Sequence, residues 1–341
     1  TNATGSVTYS SGNHAIHTNL SQVNSGSGLI NNVGVSNRGT LDVGEGVQDF
    51  AIETIGVGTG SINLTAVNPD VQALGLVTDW YQGKNPDASK DYRAKTNLLA
   101  QNVHITVADG TTNPGDGKVG GMLLNNGDLV TGTQTKLSVD VTTASTGDVF
   151  GVNLGLNSNS LFKGESTITV DANKAAIAVG LDAGISNTNI HTGTETQSNA
   201  TGTFDGGLQI SVAGADKVYG FRATDNANVT VHNLNVDTTS TGGIMRGVHI
   251  NAADVHATGK TLTVDAESSA GDEIFGINAV MGGTFTNDAE LTTVTLSGHA
   301  HYMDGLRTVE GQQTLKGNLN LHMTNAFSDS NPNTAGQMIG L

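Results

Sequence analysis

The chain has 341 residues, of which 13% are charged and 4% aromatic, with 46 glycines, no cysteine and a formal net charge of −16. A charge of that sign and size repels nucleic acid and anionic membrane, so neither is expected as a partner. No apolar run reaches the roughly 20 residues of a membrane-spanning helix, and the lack of cysteine fits a secretion route that disfavours disulfides as well as it fits a reducing cytosol.

The first ~60 residues alternate loosely. Strands are predicted at residues 7–9, 15–17, 40–43 and 50–52, with Gly5, Gly12, Gly26, Gly28, Gly34 and Gly39 as turns. From Ile62 a repeat becomes explicit, with three short strands in each unit. The first strand reads Leu137-Ser138-Val139-Asp140, and again Ile168-Thr169-Val170-Asp171, Leu234-Asn235-Val236-Asp237 and Leu262-Thr263-Val264-Asp265. The second opens on glycine: Gly151-Val152-Asn153-Leu154, Gly180-Leu181-Asp182-Ala183, Gly220-Phe221-Arg222-Ala223, Gly247-Val248-His249-Ile250, Gly276-Ile277-Asn278-Ala279 and Gly305-Leu306-Arg307-Thr308. Here the first and third residues after the glycine face inward and the second faces out. The glycine itself suits a corner where a Cβ would crowd the bend. The third strand is predicted at 129–131, 190–192, 229–231, 255–257 and 285–287. Val107, Val139, Val170, Val212, Val236, Val264, Leu296 and Met323 mark the first strand at an average step of roughly 31 residues.

Three strands per repeat, each too short to bury a face alone, predict an all-β chain. The expected fold is a right-handed parallel β-helix, a three-strand solenoid with coils of roughly 24–42 residues. It covers residues 1–341 as one domain, with less regular N-terminal coils over 1–60. Asn153, Asp182, Arg222, His249, Asn278 and Arg307 are expected on its polar outer face. An antiparallel sandwich would need hairpin turns between successive strands and would not hold this register. Residues 79–95 and 193–206 are loop insertions, and 109–119 lengthens a turn. The final residues 337–341 match the opening of a glycine strand, so the chain is expected to be a fragment cut inside a coil.

The chemistry-bearing residues point away from catalysis. Asp140, Asp171, Asp237 and Asp265 resemble an acidic ladder, but Asp commonly ends strands in Asx turns, and one column does not supply the six to eight oxygens of a Ca²⁺ site. His299 and His301 share a strand face near Asp304 and lack a third ligand by spacing, so no metal is assigned. The acidic pairs Asp272–Glu273 and Asp87–Asp91 lie in predicted turns or insertions, and lysine and arginine do not cluster on one face. No cofactor and no enzymatic activity are expected. The excursion DWYQGKNPDASKDYRAK holds the only tryptophan. Exposed aromatics beside polar groups grip sugars and protein epitopes, so Trp80, Tyr81, Asp87, Tyr92 and Arg93 are the candidate ligand contacts.

The L-x-V-D strands, glycine-corner strands, Thr/Asn/Gly-rich turns, acidic balance and absence of cysteine together resemble the passenger domains of Gram-negative autotransporters (type V secretion), over roughly 40–341. The resemblance implies a secreted, non-catalytic adhesin on the bacterial cell surface. It would bind a host-cell or matrix protein or a glycan receptor, with possible homotypic association and biofilm formation. It would touch membrane only through a C-terminal β-barrel that this stretch does not contain. Trimeric phage tailspikes are similar in the same way, and they keep a polysaccharide-cleaving enzyme as the alternative.

Overall fold

The β-branched residues of the repeat cannot bury a face within one coil, so they do so by stacking on their equivalents one coil away. The computed structural model describes residues 5–19, 30–55, 71–78, 93–109, 119–184, 198–326 and 337–340. All its regular elements are strands, and every strand pairing is parallel. The chain is a parallel β-helix. Three walls recur in the order third, first, glycine. In one central coil they are Gly127–Thr131, Lys136–Thr143 and Asp148–Leu154.

The first wall holds two inward columns. One runs Ile16, Ile52, Ile105, Val139, Ile168, Ile210, Val236, Val264, Val294 and Leu321. The other runs Thr54, Val107, Val141, Val170, Val212, Thr238, Ala266, Leu296 and Met323. The sequence register crossed between them, because a two-residue slip keeps every side chain on its face. Val107 and Met323 share a column, so the average step survives the slip. Each fully buried Val or Ile contributes about 1.5–3 kcal/mol. Where threonine replaces valine, its hydroxyl is satisfied by a carbonyl: Thr54 donates to Leu74 O at 3.1 Å.

The slip also undoes the acidic ladder. Asp140 stacks on Thr106 and Thr169, and Asp171 on Thr142 and Ala213; only Asp237 and Asp265 are direct neighbours. Only Asp171 ends its strand, Ser166–Asp171, as expected; Asp237 and Asp265 lie inside Asn228–Ser240 and Asp254–Val280. Asp140 sits inside Lys136–Thr143 and accepts a hydrogen bond from Ser138 at 2.6 Å.

The N-terminal coils are more regular than the sequence suggests. Ser6–Tyr9, Gly12–Asn19 and Ile30–Asn37 pair with Thr40–Val43, Val47–Ile55 and Val71–Thr78. Gly34 is therefore a wall residue, not a turn. The 193–206 insertion also shrinks, because Thr201–Phe204 is a third-wall strand whose Phe204 ring stacks on Phe162 at 4.3 Å. The third strand expected at 190–192 lies outside the described residues. Asp272 and Glu273 fall within the strand Asp254–Val280, not in a turn.

The glycines form one column through the second wall: Gly34, Gly75, Gly121, Gly151, Gly180, Gly220, Gly247, Gly276, Gly305 and Gly340. Their φ values are ordinary; what they need is space. A Cβ on Gly151 would lie 2.7 Å from the Gly180 carbonyl oxygen and would overlap the Ile168 side chain of the facing wall. A Cβ on Gly180 meets Ile210 and the Gly220 carbonyl in the same way. Gly151→Ala is therefore expected to cost about 1–3 kcal/mol through overpacking. Gly5→Ala, with nothing within 4 Å of the new methyl, should be near neutral. Thermal unfolding of the two variants checks this.

At the last described coil the inward residues Leu321 and Met323 are only half-buried, and Asn318–Asn325 pairs on one edge alone among the described residues. Hydrogen exchange should show protection falling from the strand Leu291–Val309 towards residue 340, since terminal coils open first. Equal protection in both would contradict it.

Candidate functional site

A straight strand alternates sides, so residues three apart point to opposite faces. The glycine wall breaks that rule. Two before the glycine, the glycine itself, one after and three after all face the core: Val149, Gly151, Val152 and Leu154 in one coil. The residues one before and two after face out. These two outward side chains touch: Arg222 lies over the Tyr219 ring at 5.2 Å, Arg246 Nη1 is 3.4 Å from His249 Nε2, and Arg307 Nε is 3.8 Å from Asp304 Oδ2. Outward side chains converge only if the wall is creased inward. The glycine column is that crease, and a groove runs along the outside of it.

The groove changes character along the helix. In the N-terminal half it is apolar: Leu74, Val77, Leu123, Phe150 and Val179 form a buried cluster separate from the core. From Asp182 onward it is charged and aromatic. Four of the six outward residues expected to form a polar face, Asn153, Asp182, His249 and Asn278, are nearly inaccessible at 0, 4, 6 and 2% exposure, while the Arg222 and Arg307 side chains stay partly exposed. Burial of that kind demands partners. Arg222 supplies a two-pronged pair, donating from Nε and Nη2 to the two Asp182 oxygens at 2.8 and 2.7 Å. Asn153 donates to Asp182 at 3.1 Å. Burial alone would pull the Arg222 pKa down; the Asp182 charge and hydrogen bonds outweigh it and raise it.

His249 sits in the next coil, between Arg222 and Arg246. Burial first, then these two cations, push its pKa down to about 3, so the ring is neutral at physiological pH. Arginine can only donate, so Nε2 accepts and the ring proton is on Nδ1. The Asn278 amide is 3.1 Å from Nδ1. The contact is made by Nδ2, while Oδ1 is buried without a partner, and turning the amide over to accept that proton would leave the NH2 in the unpartnered position instead. Arg246 lies between the Tyr219 and Phe275 rings, 5.6 and 5.5 Å from their centroids, and Arg307 covers Phe275 at 4.5 Å. Burial and the nearby Glu273 raise the Asp304 pKa against the lowering effect of Arg307.

Three arginines thus gather in one groove, which the sequence reading denied. It assigned one outward residue per glycine strand and missed the other, one before the glycine. The alternation Tyr219, Arg246, Phe275, Asp304 at that position was the available signal. Of the predicted contact residues, Trp80, Tyr81, Asp87 and Tyr92 lie outside the described residues. Arg93 directly precedes the third-wall strand Ala94–Leu98 and donates to Asp128 Oδ1 from Nε and Nη2 at 3.0 and 2.6 Å. Asp91 is also outside. Among the described residues no group of three His, Cys, Asp or Glu could hold a metal. On the first wall, burial and then the neighbouring Asp265 and Glu267 raise the Asp237 pKa.

The His249 environment makes an acid-stability prediction. A histidine depressed in the folded state binds its proton only when the chain unfolds, so stability is intact above about pH 6.5 and falls as pH drops towards 3. Its contribution is about 1.4 kcal/mol per pH unit within that window. His249→Asn should flatten the slope of unfolding free energy against pH by that amount in urea titrations between pH 6 and 4. An unchanged slope would place His249 outside the buried network. No protein-family model, curated protein or solved structure matches the chain.

Proposed function

We propose that this β-helix is a non-catalytic cell-surface adhesin segment of the autotransporter-passenger kind, displayed outside a Gram-negative cell and binding a host, matrix or glycan receptor. One observation supports the reading most: the charged half of the crease is a rigid array of donors, acceptors and rings already fixed against one another. Asp182 is committed to Arg222, and His249 is held neutral between two cations. The arginines that still reach solvent, Arg222, Arg246 and Arg307, are held by these buried partners and rings, and binding favours side chains that lose little freedom. Homotypic association belongs to the same proposal. The long first wall presents Thr, Asn and Ser outward, and each hydrogen bond made there contributes only about 0.5–1.5 kcal/mol net, so many in register would be needed.

One observation favours the alternative, a polysaccharide-cleaving enzyme. Asp304 has a raised pKa and stands near Glu273 in the same groove, as an acid–base pair would. Incubating the purified chain with host cells, matrix proteins and a glycan panel, with a reducing-end assay on the same glycans, separates the two. Saturable binding without release of oligosaccharide is expected. Released oligosaccharide would install the enzyme, and failure to bind any partner, including itself in sedimentation, would overturn the adhesin.

A further inference from the structure

Three arginines enter the crease, and they are not equally occupied. Arg222 is spent on Asp182. Arg246 is not: its closest polar contacts are His249 at 3.4 Å and Glu273 at 3.5 Å, and its Nε is buried without a partner. The side chain is 19% exposed, so part of it reaches the groove. A guanidinium carries five N–H donors in a fixed plane, and a desolvated charge with long, poorly filled contacts is costly. The rings of Tyr219 and Phe275 on either side hold it in place. Two coils on from Arg246, Asp304 keeps a buried Oδ1 with no donor.

We propose that the crease between Tyr219 and Tyr302 binds an acidic oligosaccharide, with Arg246 anchoring a sugar carboxylate. This rests on the reading of the groove as a binding surface and names what it binds. A carboxylate matches the guanidinium fork with two parallel hydrogen bonds. It would do so in place of the loosely held Glu273. The class of ligand follows from three features. The chain's net charge of −16 repels densely charged polyanions, so the carboxylate is carried on a chain that is otherwise neutral. Successive rungs are about 4.8 Å apart, whereas an extended peptide advances about 3.3 Å per residue and falls out of step; a sugar ring spans roughly one rung. Tyr302, 49% exposed, supplies a ring face for stacking at the open end.

The test is calorimetric titration of the whole chain with a xylo-oligosaccharide carrying a single glucuronic acid, its carboxyl-reduced counterpart and poly-glutamate. The wild type should bind the first and neither of the others. Arg246→Gln should weaken binding by about tenfold or more. Glu273→Gln should strengthen it, because it removes the competing carboxylate, and a variant that merely disturbed the wall would not. Should Arg246→Gln fail to fold, the Glu273 variant and the reduced sugar still decide the matter. Equal binding of the reduced sugar overturns the carboxylate anchor. Equal binding of poly-glutamate overturns the sugar. Adhesion to cells with no binding of the glucuronic-acid oligosaccharide sinks this inference and leaves the adhesin reading standing, whereas loss of both sinks both.

Discussion

The absence of a Cβ at one position per coil is the constraint on which the rest of the molecule depends. Where Gly151 passes Ile168 and the Gly180 carbonyl, the two walls approach closer than any side chain allows. That approach folds the second wall inward, and two consequences follow from the single crease. Inside, Gly151 and Val152 both face the core, so the strand loses its alternation. Outside, the residues flanking the crease converge and are withdrawn from water although they lie on the external face. A substitution in the glycine column would thus act on both sides at once, opening the core and splaying the groove.

A polar side chain buried on an outer face is a liability unless its neighbours one coil away complete its hydrogen bonds. Parallel stacking makes this possible, because the column places Asn153, Asp182 and Arg222 side by side, and then His249 and Asn278. The apolar stretch from Leu74 to Val179 solves the same problem by packing alone. Replacing the Asp182–Arg222 pair by apolar residues could be neutral for stability, whereas removing one partner strands a buried charge at a cost of about 3–5 kcal/mol. The charged half is therefore poorly explained by stability, since apolar columns already close the other half. It fits the proposed role, in which its partly exposed arginines discriminate between ligands.

Much of this architecture could be read directly. The apolar first-wall residues and the glycine corners defined three parallel walls and a mean coil length, because core burial imposes a period that no other fold would keep. What escaped was what depends on the third dimension between coils. The choice between Val139 and Val141 as partner of Val107 is invisible when both are valine two residues apart. Gly34 looked like a turn because its neighbours, Asn31 and Asn32, are polar. Asn126, Asn157, Asn199 and Asn226 all adopt positive φ, which asparagine tolerates better than most residues. Asn157 also donates to Asn126 across one coil at 3.3 Å. Their spacing was visible in the sequence, yet loop residues rich in Asn were read as generic turns. The groove was missed because the alternation rule was applied across the very glycine that breaks it.

The groove also bears on how a solenoid of this composition achieves specificity. With 4% aromatic residues, the chain has few large side chains to spend, and it places Tyr219 and Phe275 where arginines cover them. A cation held against a ring is ordered before any ligand arrives, so the entropy of fixing a long side chain is borne by the fold, not by the binding event. The flat first wall has no such device. Its outward Thr, Asn and Ser side chains are short and range from half-buried to exposed, and contacts there gain strength only by repetition along many coils. A ligand that must be recognised by a few groups therefore fits the crease, and a surface that acts by extent fits the first wall. One helix can hold both because each wall repeats independently of the others.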